Sequence, residues 1–271
     1  MEAQLRRLQK DPVYFVIHIL DFHPFDYQMK LLQDMSKRIC GCMGRQTGKS
    51  TTIAAKAVWY AATHKNTNTL IVSATLRQSM LMFDKIIGFV MSSILKKSIS
   101  YRSRTRIRFK NGSWIIALPC GLRGYSIRGH SAHLAILDEA AFIPGEVIMK
   151  VVLPMVSATD GSVWMISTPY DRNHVFYRCF MNTGEWSVYH LPSSVNPFIK
   201  PEFLEEQKEL IGEERFMIEY EALFIDDSKA YFPMTLIRPC IKDYELKLEG
   251  SDNFGGYDPG GRESYAAFVL V

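Results

Sequence analysis

The sequence has no apolar run long enough to span a bilayer. The longest such stretch near the N-terminus, residues 13–20, contains His18 and is followed by no signal-peptide cleavage pattern. That points to a soluble, intracellular protein with no membrane role. Cysteine is scarce: Cys40, Cys42, Cys120, Cys179 and Cys240 are odd in number, lack paired metal spacing and lie mostly among apolar neighbours. This pattern argues against a disulfide framework or a zinc site and predicts buried thiols in a reducing compartment. His130 and His133 have no third ligand nearby in sequence, so local hydrogen bonding suits them better than metal binding. No tail of like charge is present, and a formal net charge of +4 neither requires nor excludes nucleic acid. What is there is globular: 47% hydrophobic and 22% charged over 271 residues, enough for one large domain or one and a part.

Asp11-Pro12 reads as an N-cap followed by proline at the first helical position, so a short helix is expected from 12 to about 22, broken by His23-Pro24. A second helix begins at Asp26, with Met29, Leu31, Leu32 and Met35 on its apolar side. Strand-like segments at 38–43, 69–73, 134–137 and 163–167 then alternate with helix-like segments at 51–62 and 76–95. The order predicts an α/β fold with a mostly parallel central sheet flanked by helices. Such sheets bind ligands at the carboxyl ends of their strands. The segment 44–50, Ala74-Thr75, Asp138-Glu139 and Thr168-Pro169 all fall at those ends, as one shared nucleotide site would need.

Gly44-Arg45-Gln46-Thr47-Gly48-Lys49-Ser50 lies between a strand-like and a helix-like segment, where backbone amides and a helix N-terminus can cradle phosphate oxygens. Lys49 would neutralise the β and γ phosphates of ATP, and the Ser50 hydroxyl would sit on Mg²⁺. Thr51 and Thr168 join the same nucleotide-contacting set. The glycine spacing departs from the standard loop: Gly44 and Gly48 enclose three residues instead of four, and Met43 stands at the expected glycine position. Asp138, at the tip of the apolar run Leu134-Ala135-Ile136-Leu137, would hold the magnesium through water, while Glu139 would orient and polarise the attacking water. A core strand ending in a helix-capping acid is the plainer reading of 134–139 alone, and the loop context favours the catalytic one.

Arg102, Arg104, Arg106, Arg108 and Lys110 alternate with other residues up to Asn111-Gly112, a type I′ hairpin signal, after which residues 114–118 return. Period two would put all five cations on one strand face. Two readings remain open: a ribbon tracking nucleic-acid phosphates, or an edge strand whose charges prevent edge-to-edge pairing. Farther on, 201–211 and 213–224 read as two amphipathic helices separated by Gly212, and 226–229 as an exposed link. From Asn253 onward a strand, a turn bearing Asp258 and an apolar strand are expected.

Taken in order, these segments resemble the large subunit of the terminase, the DNA-packaging motor of tailed double-stranded DNA bacteriophages, over nearly the whole chain. The loop is similar to that family's deviant phosphate loop, with an early arginine and shortened glycine spacing. Pro24-Phe25-Asp26-Tyr27-Gln28 is similar to its adenine-contacting segment, with Gln28 as the adenine reader. Asn111-Gly112-Ser113, Arg128-Gly129, Leu137-Asp138-Glu139-Ala140-Ala141 and the coupling motif Ser167-Thr168-Pro169 follow the family order. Glu219-Tyr220-Glu221 with Phe224 fits the end of its ATPase domain, and Gly256-Tyr257-Asp258-Pro259-Gly260-Gly261 resembles the opening of its RNase H-like nuclease domain.

The resemblance implies a RecA- or helicase-like P-loop NTPase domain at 1–225 whose residues 190–225 form a helical closing segment. A linker at 226–252 and the incomplete start of a nuclease domain at 253–271 would follow. It also implies double-stranded DNA, a portal protein and a small terminase subunit as partners in the host cell cytoplasm. The motor would be a homo-oligomeric ring when assembled and a monomer in isolation. Asp258 would be the first metal-binding acid of the nuclease, and since one carboxylate cannot hold two ions, ATPase without endonuclease activity is expected of these residues. Arg45 and Arg128 compete as the arginine finger; the expectation is that Arg128 acts in trans and Arg45 positions the phosphates. A helicase-like translocase, a metabolite kinase and a nucleotide-gated binding protein are the alternatives. Ala140-Ala141 after the acidic pair disfavours the first, and Glu139 as a water-activating acid disfavours the second.

Overall fold

The computed structural model describes residues 2–225 and, as backbone, two short strands beyond them. Eight strands form one sheet: β1 (Arg38–Met43), β2 (Asn68–Ser73), β3 (Ile99–Arg102), β4 (Arg106–Phe109), β5 (Trp114–Pro119), β6 (Leu134–Asp138), β7 (Ser162–Ser167) and β8 (Ser187–Leu191). Their order across the sheet is β3-β4-β5-β2-β6-β7-β1-β8. From β5 to β8 every neighbouring pair is parallel, while β3 and β4 run antiparallel at one edge. The expected mixed α/β architecture is therefore present.

Parallel strands covered on both faces must be apolar in both directions, which is why β6 is buried along its whole length. Alternate residues divide between two cores. Ile39, Ile71, Ile136, Trp164 and Ile166 face α2 (Pro12–Leu20), α4 (Lys49–Thr63) and α5 (Leu76–Ser92). Cys40, Leu70, Ala135, Leu137 and Met165 face the opposite layer. That layer is built from a helical run at 145–157, interrupted by a π turn (Ile148–Val152), and a helix at Val175–Met181. Burial pushes the Cys42 thiol up to about 12 and also raises those of Cys40 and Cys120, so these are inert core residues.

Local signals account for most boundaries. Asp11 caps α2, its carboxylate accepting from the Tyr14 amide at 3.0 Å, and Thr75 with Gln78 forms a capping box at the start of α5. α5 ends at Ser92, three residues short of the expected end, because Ile94–Ser98 tightens into a 3₁₀ turn. The helix at Glu2–Lys10, strand β8 and the run at 145–157 were not expected from the sequence.

The cationic ribbon differs from its expected form. β3 and β4 are separate strands paired with each other, Tyr101 opposite Arg108 and Arg102 opposite Ile107, so the chain reverses between Arg102 and Arg106. Ser103 closes that turn by donating its amide to Arg106 O at 2.8 Å. Only Arg106 and Arg108 share the exposed side of β4, whose Ile107 and Phe109 are buried. Arg102 lies on β3, Arg104 in the turn and Lys110 beyond β4, so the five cations do not occupy one strand face. Asn111-Gly112 is not a type I′ turn either, since only Gly112 has positive φ. The Gly112 amide bonds Phe109 O at 3.0 Å, the pattern of a tight turn followed by a left-handed residue. The Asn111 carboxamide instead donates to Ala61 O at 2.8 Å and Ala62 O at 3.1 Å, capping the last turn of α4. The whole stretch between Asp84 and Asp138 contains no Asp or Glu, so this edge of the sheet is cationic without neutralising partners of its own.

The chain divides into two compact units, Met1–Ile225 and Asp226–Val271. In the second, β9 (Gly255–Asp258) pairs antiparallel with β10 (Ala267–Leu270), Asp258 opposite Ala267. Asp258 thus ends a strand instead of occupying the turn; its side chain, the expected linker at 226–252 and the turn after Asp258 lie outside the described residues.

The most unusual core residue is Lys56 on α4, which is fully buried. Its ammonium donates to Leu31 O at 2.9 Å and to Asp34 O, at the end of α3 (Asp26–Gln33), and lies 4.5 Å from the centre of the Trp164 ring. A cation suits the carbonyl end of a helix, and the π face adds to it. Burial nevertheless lowers Lys56 from 10.5 to about 7, with Asp34 opposing that shift.

Replacing Lys56 by methionine keeps its volume but leaves two buried carbonyls without donors, an expected loss of about 1–3 kcal/mol for each. Between the folded value near 7 and the ordinary 10.5, the unfolded chain holds the Lys56 proton more tightly than the folded one. Raising the pH across that window therefore stabilises the parent protein relative to Lys56→Met. Urea denaturation of both proteins at neutral pH and about two units higher measures the gap, which should widen in the parent's favour.

Candidate nucleotide site

Strands β6, β7 and β1 are consecutive in the sheet and parallel, so their carboxyl ends open side by side. β1 runs into the loop 44–48, which turns into α4 through left-handed Gln46 and Gly48, at φ 60° and 74°. The Thr47 hydroxyl donates back to Gly44 O at 3.0 Å and closes the loop on itself. The first turn of α4 then presents amides that no helical carbonyl can satisfy.

Five side chains from the three strand ends meet at this turn. The Lys49 ammonium lies 3.1 Å from Glu139 Oε1 and donates to Met43 O at 3.3 Å. The Ser50 hydroxyl donates to Asp138 Oδ1 at 3.4 Å. The Ser167 hydroxyl, at the tip of β7, donates to the other Glu139 oxygen at 3.1 Å. Glu139 itself is left-handed, φ 53°, so the chain turns sharply just after β6 and the two acids are aimed differently. Asp138 is only 6% exposed. Burial, followed by the neighbouring Glu139 charge, pushes its carboxyl up to about 7, against the opposing influence of Lys49 and Ser50. A cation placed beside it would favour the ionised form and lower that value.

Glycine at position 44 has a steric cause. A Cβ at Gly44 would stand 2.5 Å from Tyr220 O and 2.6 Å from Ser193 Oγ. The segment after β8 presses against the loop here: the Gly44 amide donates to Leu191 O and the Arg45 amide to Glu219 O, both at 2.8 Å. The Ser193 hydroxyl donates to Arg45 O, and the Asn196 carboxamide to Gln46 O, both at 2.7 Å. Gly44 therefore makes room for the chain's own strap, and the amides left for an anion lie from Gln46 onward.

On the opposite side, the Tyr27 hydroxyl donates to Thr47 O at 2.9 Å and the Gln28 carboxamide to the same oxygen at 3.3 Å. Gln28 Oε1 accepts from the Phe25 amide at 3.0 Å. Gln28 thus retains one N–H and one lone pair.

Among the residues expected at the site, the structure brings together 44–50, Gln28, Asp138 and Glu139. Thr168 follows Ser167 at the end of β7 but makes no hydrogen bond to the acidic pair. The Thr51 hydroxyl accepts from Lys85 of α5 at 3.3 Å, away from the acids. Arg45 is occupied by Glu219, Nε to Oε2 at 2.7 Å. Arg128 lies over the exposed Tyr125 ring, 5.2 Å from its centre, in the loop between β5 and β6, outside the cluster around Lys49. Ser167 as the partner of Glu139, together with Ser193, Asn196 and Glu219, was missed from the sequence; each acts across more than twenty residues with no local pattern to mark it.

A magnesium ion would suit this donor set. Ser50 and Asp138 offer oxygens only, and no cluster of three or more His, Cys, Asp or Glu capable of holding a metal occurs among the described residues.

The family model described as terminase large subunit, T4likevirus-type, N-terminal, matches residues 40–239. The terminase large subunit of Thermus phage G20c is 26% identical over 265 residues, covering 84% of this chain and 54% of that protein. The chain therefore spans about half the length of the curated relatives it matches. The large terminase ATPase domain of Thermus phage P74-26 superposes with a TM-score of 0.70 at 25% identity, over 79% of this chain and 99% of that one. A large terminase from a thermophilic bacteriophage, in complex with ADP, shares the fold alone: TM-score 0.64 at 13% identity, covering 90% of this chain and 64% of that one. The architecture is that of P-loop NTPases, as expected, and the chain belongs to the terminase large-subunit family.

Proposed function

We propose that residues 2–225 bind and hydrolyse ATP and form the motor part of a terminase large subunit, driving duplex DNA into a procapsid. The observation that carries this reading is the Lys49–Glu139 pair, held between the loop and the tip of β6 with Ser167 on the second carboxylate oxygen. An amine aimed at a phosphate-binding turn and a carboxylate beside it are the two groups that hydrolysis of a γ phosphate needs. The triphosphate is the stronger counter-ion for Lys49. Once Lys49 turns to it, Glu139 is released to accept a proton from the attacking water, with Ser167 fixing its orientation. Ser50 and Asp138 would hold the magnesium ion, which shields phosphate charge. Gln28, beside the loop, would meet the base edge. The ADP-bound relative supports the choice of nucleotide.

Arg45, clipped to Glu219, is best read as joining the loop to the strap. Arg128 stands exposed and is the better placed of the two to reach a neighbouring subunit's site, so we assign it as a trans-acting finger in a homo-oligomeric ring. The cationic edge with Arg104, Arg106 and Arg108 is the proposed DNA-tracking surface; a portal protein and a small terminase subunit are the proposed partners. Residues 253–271 are read as the opening of an RNase H-like nuclease domain, Asp258 being its first metal-binding acid.

Lys49→Ala should abolish productive ATP binding, whereas Glu139→Gln should bind ATP and fail to hydrolyse it. Calorimetric affinities and steady-state turnover separate the two outcomes; near-normal hydrolysis by Glu139→Gln removes Glu139 from the mechanism.

An arginine finger typically raises turnover ~10³-fold or more. Arg128→Ala keeps an intact site and Glu139→Ala keeps the finger, so mixed assemblies should recover ATPase activity that neither protein has alone. Absence of recovery counts against the trans assignment.

Replacing Arg104, Arg106 and Arg108 with serine should weaken duplex binding and reduce the logarithmic salt slope by about 0.9 for each lost phosphate contact, without changing basal hydrolysis. Unchanged slopes would return this edge to the role of preventing strand pairing.

A further inference from the structure

Phe198 is 83% exposed, the most exposed large apolar side chain among the described residues, and it stands beside the nucleotide loop. Isolated surface apolar groups are common and need no explanation. This one, however, is held in place. Asn196 donates its carboxamide to Gln46 O of the loop at 2.7 Å, and its Oδ1 accepts from the Phe198 amide at 3.0 Å. One asparagine thus grips the loop and fixes the backbone of Phe198. The Phe198 ring meets Phe25 edge-on, centroids 5.4 Å apart at 70°, and Phe25 stacks with Tyr27 at 5.8 Å and 21°.

Those two aromatics flank Gln28, the residue proposed above to meet the base edge. The Phe25 amide holds Gln28 Oε1, and Tyr27 and Gln28 share Thr47 O. A purine presents a polar edge and two apolar faces. Gln28 keeps one donor and one acceptor for the edge, but phosphate chemistry and edge recognition leave the faces uncovered. Phe25 and Tyr27 are half-buried, and Phe198 is the most exposed of the three aromatics at that position.

We propose that Phe198 is the base-stacking residue of the nucleotide site, carried to it by the strap that Asn196 fastens to the phosphate loop. This rests on the nucleotide-binding reading above. Stacking recognises any base, because every base has a π face, so Phe198 contributes affinity without choosing between adenine and guanine; that choice falls to Gln28. Because strap and loop are joined, the base platform and the phosphate cradle shift as one body.

The test compares Phe198→Ala, Phe198→Trp, Gln28→Ala and Lys49→Ala with the parent protein, measuring Kd and kcat for ATP and GTP. Phe198→Ala should fold normally, since its ring is exposed, and should weaken both nucleotides by a similar factor of about 5- to 150-fold. Phe198→Trp should restore binding, and its added fluorescence, taken as the difference from the parent, should be quenched by either nucleotide. Gln28→Ala should instead change the ratio of ATP to GTP affinity. Lys49→Ala separates the two levels of inference. If it binds ATP as the parent does, the nucleotide reading itself fails. If Lys49→Ala loses binding while Phe198→Ala stays within about twofold of the parent for both nucleotides, the site stands and the stacking role is overturned. A loss confined to ATP overturns it as well, since an edge contact and not a face would then be at stake.

Discussion

Everything at this site depends on β6, β7 and β1 lying next to one another and pointing the same way. Neighbouring strands sit about 4.8 Å apart, so groups at three adjacent tips fall within reach of a single phosphate. Lys49, the Asp138-Glu139 pair and Ser167 come from segments separated by up to 118 positions in the chain, yet the sheet order assembles them without any long side-chain reach. The tight turn after each tip does the rest: left-handed Gly48 starts α4, and left-handed Glu139 parts the two acids. Removing the Glu139 charge would relieve the buried Asp138, whereas removing the Lys49 charge would burden it further, so the two neighbours pull on that carboxyl in opposite directions.

The loop cannot be understood without the segment that follows β8. Two of its amides and two of its carbonyls are bonded to residues 191–219, and the first glycine exists to let that segment approach. Arg45 adds a charged contact to Glu219 at the surface, where an ion pair alone contributes at most about 1 kcal/mol; it fixes geometry more than it adds stability. The strap leads directly into the helices Pro201–Ile211 and Glu213–Glu219, so any rearrangement of the phosphate loop is mechanically shared with them.

The fold, and the gathering of Lys49, Ser50, Asp138 and Glu139 at adjacent strand ends, were legible in the sequence because both are written locally. Continuous apolar runs such as 134–137 mark buried parallel strands, Asp11-Pro12 and Thr75 mark helix starts, and Lys49, Ser50, Asp138 and Glu139 sit in short motifs. The cationic ribbon was misread for the same reason. Alternation at Arg102, Arg104, Arg106 and Arg108 satisfies the period of one strand, and the reversal at Ser103 uses no glycine or proline to announce itself. Asn111 looked like a turn residue because it precedes glycine, although its side chain is spent on the end of α4, fifty residues earlier in the chain. Ser193, Asn196 and Glu219 act on the loop across separations of 148 to 174 positions, and no pattern in a single sequence reports such distances.

Charge is distributed very unequally over this domain. The stretch that builds the β3–β5 edge lacks acids from Asp84 to Asp138, while the helices Pro201–Ile211 and Glu213–Glu219, on the side of the sheet where the strap meets β1 and β8, are rich in glutamate. A body built this way is an electric dipole. In the field of a long polyanion it feels a torque before any atom touches, so its cationic edge turns forward during approach, and collisions in the wrong orientation become less frequent. That rotation is governed by screening: it acts over roughly 8 Å in physiological salt and over several times that distance in dilute buffer.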